Sequence, residues 1–231
     1  MQHVRGCAPY AASYRTSIER LTERDRNKLF AFAAQLRDGP YREDLYFFRD
    51  MLGPPFDTRR IRVVFAMLRM ALVMQADDER AALYSPVATE RSDPGFELHA
   101  DLFLTTRVWL IFDDVPDDGR GASLFLSRRE VLRSIRSIPA IPEEQARSIA
   151  QLMTKPIARD SFGKLFTFLH SKRNPWYWPL RGALQRRQSS IALHRGEGYL
   201  IDDRRWLHGR TAVMGRVSSS RFHRLTYSLA S

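Results

Sequence analysis

The segment Gly196-Glu197-Gly198-Tyr199-Leu200-Ile201-Asp202-Asp203-Arg204-Arg205-Trp206-Leu207-His208-Gly209-Arg210-Thr211-Ala212 carries more information than any other in this chain. A glycine turn, an apolar strand, a polar turn, a histidine and a strand with spaced arginines follow one another. That order suits the distal half of a two-His-one-carboxylate arrangement, whose facial geometry leaves positions on a metal open. Roughly a hundred residues upstream, His99-Ala100-Asp101 offers the other half. Period-two alternation in a strand points His99 and Asp101 to the same face, where they could share one ion. Taken alone, a strand histidine is more often structural than a ligand, and His-x-Asp is weak. Order and spacing together make the pair specific.

Outward from these segments the chain reads as α+β, mainly β with helices. The first ~90 residues are expected to be helical. Tyr14 to Arg37 has apolar residues in roughly helical spacing and stops at Gly39-Pro40. Glu43 to Met51 ends before Gly53-Pro54-Pro55, and Thr58 to Leu83 is apolar enough along Ile61 to Met74 to be a buried helix. The texture changes at Ser92-Asp93-Pro94-Gly95. Phe96 to Phe112 and Ala122 to Leu126 have the composition of strands, separated by the turn Pro116-Asp117-Asp118-Gly119. Connecting helices are expected over Arg128 to Ile138 and Glu143 to Thr154, then an aromatic loop, Asn174-Pro175-Trp176-Tyr177-Trp178-Pro179. Ser190 to His194, Tyr199 to Asp202 and Phe222 to Leu229 are again strand-like.

At 231 residues, with 44% hydrophobic and 27% charged, the chain has material for one globular domain. Its single cysteine, Cys7, excludes an intrachain disulfide framework and a multi-cysteine metal site, so any metal falls to histidine and carboxylate. The N-terminus lacks the pattern of a signal peptide, and the longest apolar segment, Val63 to Met74, is interrupted by Arg69. A soluble cytoplasmic protein without a membrane span is expected. The formal net charge is +11, and lysine occurs only at Lys28, Lys155, Lys164 and Lys172, so arginine supplies nearly all of the 37 cations. Guanidinium suits bidentate recognition of carboxylate or phosphate, and the excess favours anionic ligands without choosing among them.

The distal segment with its upstream His-x-Asp resembles the Fe(II)/2-oxoglutarate-dependent oxygenases, in particular the branch of taurine dioxygenase and clavaminate synthase. Members typically show His-x-Asp, a Gly-Gly-x-Thr-like turn, an Asn/Asp-Arg-Arg-x-x-His-Gly-Arg segment and an Arg-x-x-x-Arg-like strand. The match covers roughly Phe96 to Phe125 and Gly196 to Leu229. The resemblance implies that His99, Asp101 and His208 hold Fe(II), with 2-oxoglutarate and O2 as co-substrates. It also implies an arginine beyond the distal histidine that grips the far carboxylate of 2-oxoglutarate. Arg221 is the expected one and Arg224 its competitor; the two stand three apart here instead of four, so only one can point inward. Gly119-Arg120-Gly121-Ala122-Ser123 places Ser123 where the family offers a threonine hydroxyl to the same carboxylate, and Arg210 is a further candidate for co-substrate or substrate. Retention of Asp101 implies hydroxylation, with desaturation or ring closure open on the same iron, since related halogenases replace that carboxylate with a small residue.

The fold so implied is a double-stranded β-helix, or jelly roll, built from residues 92–126 and 189–231. Residues 1–91 would buttress it, and 127–188 would be an insertion shaping substrate access. The implied substrate is a small, polar, amino-acid-like metabolite, a carboxylate on which would suit the arginine excess, released hydroxylated with succinate and CO2. Two other readings stand beside it. One is an oxygenase of nucleic acid or protein, for which +11 is suggestive although no zinc finger, RNP-type motif or lysine tail is present. The other is a non-catalytic binding protein with a coincidental His-x-Asp. His170 and His194 are bland alternatives as ligands; packing is the default for Trp176-Tyr177-Trp178, and a solvated helix face for Arg128, Arg129, Arg133 and Arg136.

Overall fold

A computed structural model of the chain describes residues 18–38, 45–49, 57–88, 96–100, 107–114, 121–154, 159–211 and 221–228. Alternation along Arg107–Asp114 (β4) organises it. Val108, Leu110 and Phe112 face one way and Trp109 and Ile111 the other, and all five are buried, because β4 lies at the centre of a sheet covered on both sides. Its partners are Leu45–Phe48 (β1), Ala82–Ala88 (β2), Gly198–Asp202 (β7) and Arg221–Tyr227 (β9), in the order β1-β7-β4-β9-β2. A second sheet holds Phe96–His99 (β3), Ser123–Ser127 (β5), Ser189–Ile191 (β6) and Trp206–Arg210 (β8), in the order β3-β8-β5-β6. All pairings are antiparallel, and from β2 to β5 and again from β6 to β9 the chain steps from one sheet to the other.

The two sheets pack face to face. Val108, Leu110, Phe112, Tyr199 and Ile201 of the larger sheet meet Phe125 of the smaller, with the Phe125 and Tyr199 rings edge to face at 4.9 Å. Outside the larger sheet lie Glu23–Asp38 (α1) and Thr58–Ala76 (α2), whose Leu36, Ile61, Phe65, Leu68 and Leu72 cover Trp109, Ile111, Leu200, Leu225 and Tyr227. Each such apolar side chain taken fully from water is worth roughly 1.5–3 kcal/mol. Outside the smaller sheet lie Arg128–Arg136 (α3), Glu143–Thr154 (α4), Arg159–His170 (α5) and Tyr177–Arg187 (α6), packed on Leu98, Leu124, Leu126 and Leu207. Ser127 caps α3 by accepting from the Glu130 N–H at 3.2 Å, a Ser-x-x-Glu start. Among the described residues, no helix is long and apolar enough to cross a membrane.

Several local expectations change. The stretch before residue 91 is not wholly helical, because β1 and β2 add strands to both edges of the larger sheet. Within Glu43–Met51 the described part, 45–49, contains strand β1. The long helix expected to reach Leu83 ends at Ala76, where Asp77 takes a left-handed conformation (φ 49°) and turns the chain into β2. The expected aromatic loop is partly the first turn of α6, with Trp176 and Tyr177 buried and Trp178 67% exposed. Residues 14–17 and the turn at 116–119 lie outside the described residues.

Between α2 and β9 lies a buried polar chain. His223, 2% exposed, meets the Tyr84 hydroxyl through Nδ1 at 2.8 Å and the Asp113 carboxylate through Nε2 at 3.5 Å, and Thr58 donates to Asp113. Burial holds the His223 imidazole below its ordinary pKa against the opposing pull of Asp113.

Candidate metal and co-substrate site

β3 and β8 bring the first two predicted ligands together. They pair antiparallel with His99 opposite His208, and the imidazole centroids are 4.8 Å apart, tilted by 33°. The same-face rule then sorts β8: Leu207 enters the core under the helices, while His208 and Arg210 turn into the space between the sheets. Asp101, the third predicted ligand, lies outside the described residues. Among the described residues, no three His, Cys, Asp or Glu side chains gather around one point.

Hydrogen bonding orients both imidazoles. His99 Nδ1 lies 2.7 Å from the Glu97 carbonyl, which can only accept, so Nδ1 carries the proton and Nε2 keeps its lone pair. His208 Nδ1 lies 2.9 Å from the Tyr199 hydroxyl; in the tautomer in which Nδ1 donates, its Nε2 too is a lone-pair donor. Metal-binding histidines are held by contacts of this kind through the other ring nitrogen. Two nitrogen donors from paired strands fit a divalent transition metal.

The histidines form one wall of a cavity of about 120 Å³ that continues between the sheets, bounded by Ser123, Arg210, Arg224 and the rings of Tyr199, Phe112 and Phe222. Ser123 and Arg210 are register partners on β5 and β8 and are both buried. Arg224 enters from β9 on the opposite sheet. The two candidate arginines fall on different faces of β9. Phe222 and Arg224 face the cavity; Leu225 and Tyr227 face α2, and Arg221 shares their parity and is exposed. A wider groove of about 630 Å³ runs between α4 and α5 past Lys164, Thr167 and Trp176, but among the described residues its lining contains no histidine or carboxylate.

The other candidates fall elsewhere. His170 Nε2 binds the Leu98 carbonyl at 2.8 Å, closing the outer edge of β3, and burial lowers its pKa; His194 is exposed in the turn after β6. Within the expected solvated series, Arg128 is buried instead. Its guanidinium donates to the carbonyls of Met153 (2.9 Å) and Asp203 (2.5 Å), because the turn between β7 and β8 folds over the start of α3. Tyr199, which lines the cavity and meets His208, is a residue that sequence reasoning did not single out. Tyr199 stands nine residues before His208 in an apolar strand, and only the fold brings its hydroxyl to the ring.

No protein-family model matches the chain, and no curated protein does. Among solved structures, the chain is similar to an asparagine oxygenase in complex with Fe(II), (2S,3S)-3-hydroxyasparagine and succinate. That alignment has 16% identity and a TM-score of 0.45, over 99% of this chain and 87% of that one. It is also similar to the non-heme iron oxygenase OrfP in complex with Fe, succinate and a dihydroxy-L-Arg, at 13% identity and a TM-score of 0.46, over 96% and 86%. A third similar structure is the PvcB protein from Pseudomonas aeruginosa, at 12% identity and a TM-score of 0.47, over 84% and 79%.

Proposed function

We propose that this chain is an Fe(II)- and 2-oxoglutarate-dependent oxygenase that hydroxylates a small, polar, amino-acid-like molecule. The observation that carries the reading is the facing pair His99 and His208, each tied through Nδ1 and each opening on a cavity that also holds Arg224 and Ser123. In this reading the two sheets are a double-stranded β-helix, residues 1–91 brace one side, and residues 127–188 form the insertion on the other. The setting is cytoplasmic, where a chain with one cysteine needs no oxidising compartment.

His99, Asp101 and His208 would hold the iron. When bound, the iron with O2 supplies oxidative decarboxylation of 2-oxoglutarate to succinate and CO2, coupled to insertion of oxygen into a C–H bond. The chain's own residues do the rest. Glu97 and Tyr199 fix the imidazole orientations. The Arg224 guanidinium and the Ser123 hydroxyl grip the far carboxylate of 2-oxoglutarate, a buried anion that needs charge-assisted donors. Arg210, 7% exposed beside Ser123, adds a second positive charge to that end of the cavity. Phe112 and Phe222, edge to face at 6.0 Å, exclude water from it.

Incubation of the purified protein with Fe(II), 2-oxoglutarate and a panel of free amino acids tests the reading. The expected result is succinate formation that requires Fe(II), with one amino acid gaining a single oxygen atom by mass. Succinate formation without Fe(II), or none with any preparation that holds iron, would contradict it.

A further inference from the structure

Of two adjacent carboxylates, Asp202 ends strand β7 and Asp203 opens the turn that follows it. Both are buried. Asp202 is engaged by the Arg204 guanidinium at 2.9 and 3.1 Å and faces Arg107 at 3.7 Å; burial raises its pKa, and these cations outweigh that and hold it below the usual carboxylate range. Its role is structural. Asp203, 3% exposed, instead places Oδ1 3.8 Å from Nε2 of His208, the ring nitrogen that faces away from Tyr199.

That separation is beyond hydrogen-bond reach, so the carboxylate is not taking up a proton from Nε2. It is close enough for its charge to act on whatever Nε2 binds, since both groups are out of water and salt screening is weak. The position of Asp203 is held from behind. The buried Arg128 binds its carbonyl at 2.5 Å and also the Met153 carbonyl at the end of α4, and the Arg128 N–H reaches the Arg205 carbonyl at 2.8 Å. Burial lowers the Arg128 pKa to about 10, against the pull of Asp203 and Asp202, so the guanidinium stays charged at neutral pH and offsets the cost of the buried anion.

We infer that Asp203 is a positioning residue of the metal centre, a second carboxylate outside the ligand set whose negative charge strengthens divalent-metal binding at His208. The inference rests on the proposed function, since it needs a metal at Nε2. Through Arg128 it also ties that centre to the helical insertion, because the same guanidinium holds α4 and the turn that presents Asp203.

The test is a titration of the metal-free protein with Co(II), followed by calorimetry and by the visible absorption of the bound ion. The variants are Asp203→Asn, Asp203→Glu and His208→Ala, each with a thermal melt in the absence of metal. Asp203→Asn is expected to weaken Co(II) binding roughly 10–100-fold, while Asp203→Glu, which keeps the charge, stays within about threefold of wild type. The metal-free melts of the two should agree with each other. If Asp203→Asn does not fold, Asp203→Ser is read in its place. Unchanged or tighter binding in the neutral variant overturns the inference alone, provided His208→Ala has lost binding. A wild type that binds no Co(II), or binds it equally well after His208→Ala, overturns the oxygenase reading and this inference with it.

Discussion

Arg221 and Arg224 lie three residues apart on β9 and on opposite faces of the larger sheet, Arg224 in the cavity beside the histidines and Arg221 exposed on the helix side. The face is settled by what surrounds them. Leu225 and Tyr227 are buried under α2, which commits the odd-numbered residues of the strand to that side, while Phe222 packs on Phe112 within the cavity. Arg224→Ala is therefore expected to raise the KM for 2-oxoglutarate roughly 10–100-fold, the loss of a charge-assisted hydrogen bond worth about 1.5–3 kcal/mol. Arg221→Ala should change it by less than about twofold. Steady-state kinetics with varied 2-oxoglutarate check this, and the reverse ranking would exchange the two roles.

Tyr199→Phe removes the hydroxyl at His208 Nδ1 while keeping the ring that packs edge to face on Phe125. The fold should persist, and Fe(II) affinity should fall roughly 10–100-fold, as is typical when an outer contact of a metal-binding histidine is lost. An isotherm identical to wild type would remove Tyr199 from the site.

Gly198→Ala should destabilise the protein strongly. A Cβ at Gly198 would stand 1.9 Å from the Leu110 carbonyl oxygen and 2.9 Å from Ile111 Cα, backbone atoms of the neighbouring strand that cannot move aside cheaply. The expected loss is on the order of 1–3 kcal/mol or more, with a lower Tm or insoluble expression. A melt unchanged from wild type would mean that β7 and β4 do not approach as closely as described.

Stability should fall on the acid side through His223. Its folded pKa lies below the unfolded value of 6.5, so the unfolded chain binds the proton more readily. The resulting stability is fully present above about pH 6.5 and is lost as the pH falls through the lower folded pKa. Asp113, Tyr84 and Arg62 are the ionisable groups that act on it. His223→Gln, which cannot titrate, should show a shallower decline of Tm between about pH 7 and pH 5 than wild type. An equal slope in the two proteins would place the acid sensitivity elsewhere.

The strands of the site were legible because alternation and turn residues are local signals. β5 and β7 fall where the run from Ala122 to Leu126 and the apolar run after the glycine turn at Gly196 place them, whereas β8 already begins at Trp206, two residues before the histidine after which a strand is expected. Strands β1 and β2 were not. β1 is four residues long, and β2 contains Pro86, which an edge strand tolerates because one row of its backbone groups needs no partner. Their strand character comes from pairing with β7 and β9, more than 130 residues away in sequence. The inward arginine was equally invisible, since alternation says that one of two faces is buried but not which. Arg128 shares the helical spacing of Arg129, Arg133 and Arg136, and its burial is set by a turn 75 residues further on.

The central claim is that His99 and His208 hold an iron that 2-oxoglutarate also binds. Anaerobic titration of the protein with Fe(II) and 2-oxoglutarate, followed by the weak visible charge-transfer absorption of their complex, tests it most directly in wild type and His208→Ala. The account predicts the band in wild type and its absence in the variant. No band in wild type with iron left unbound, or the same band in both proteins, would contradict it.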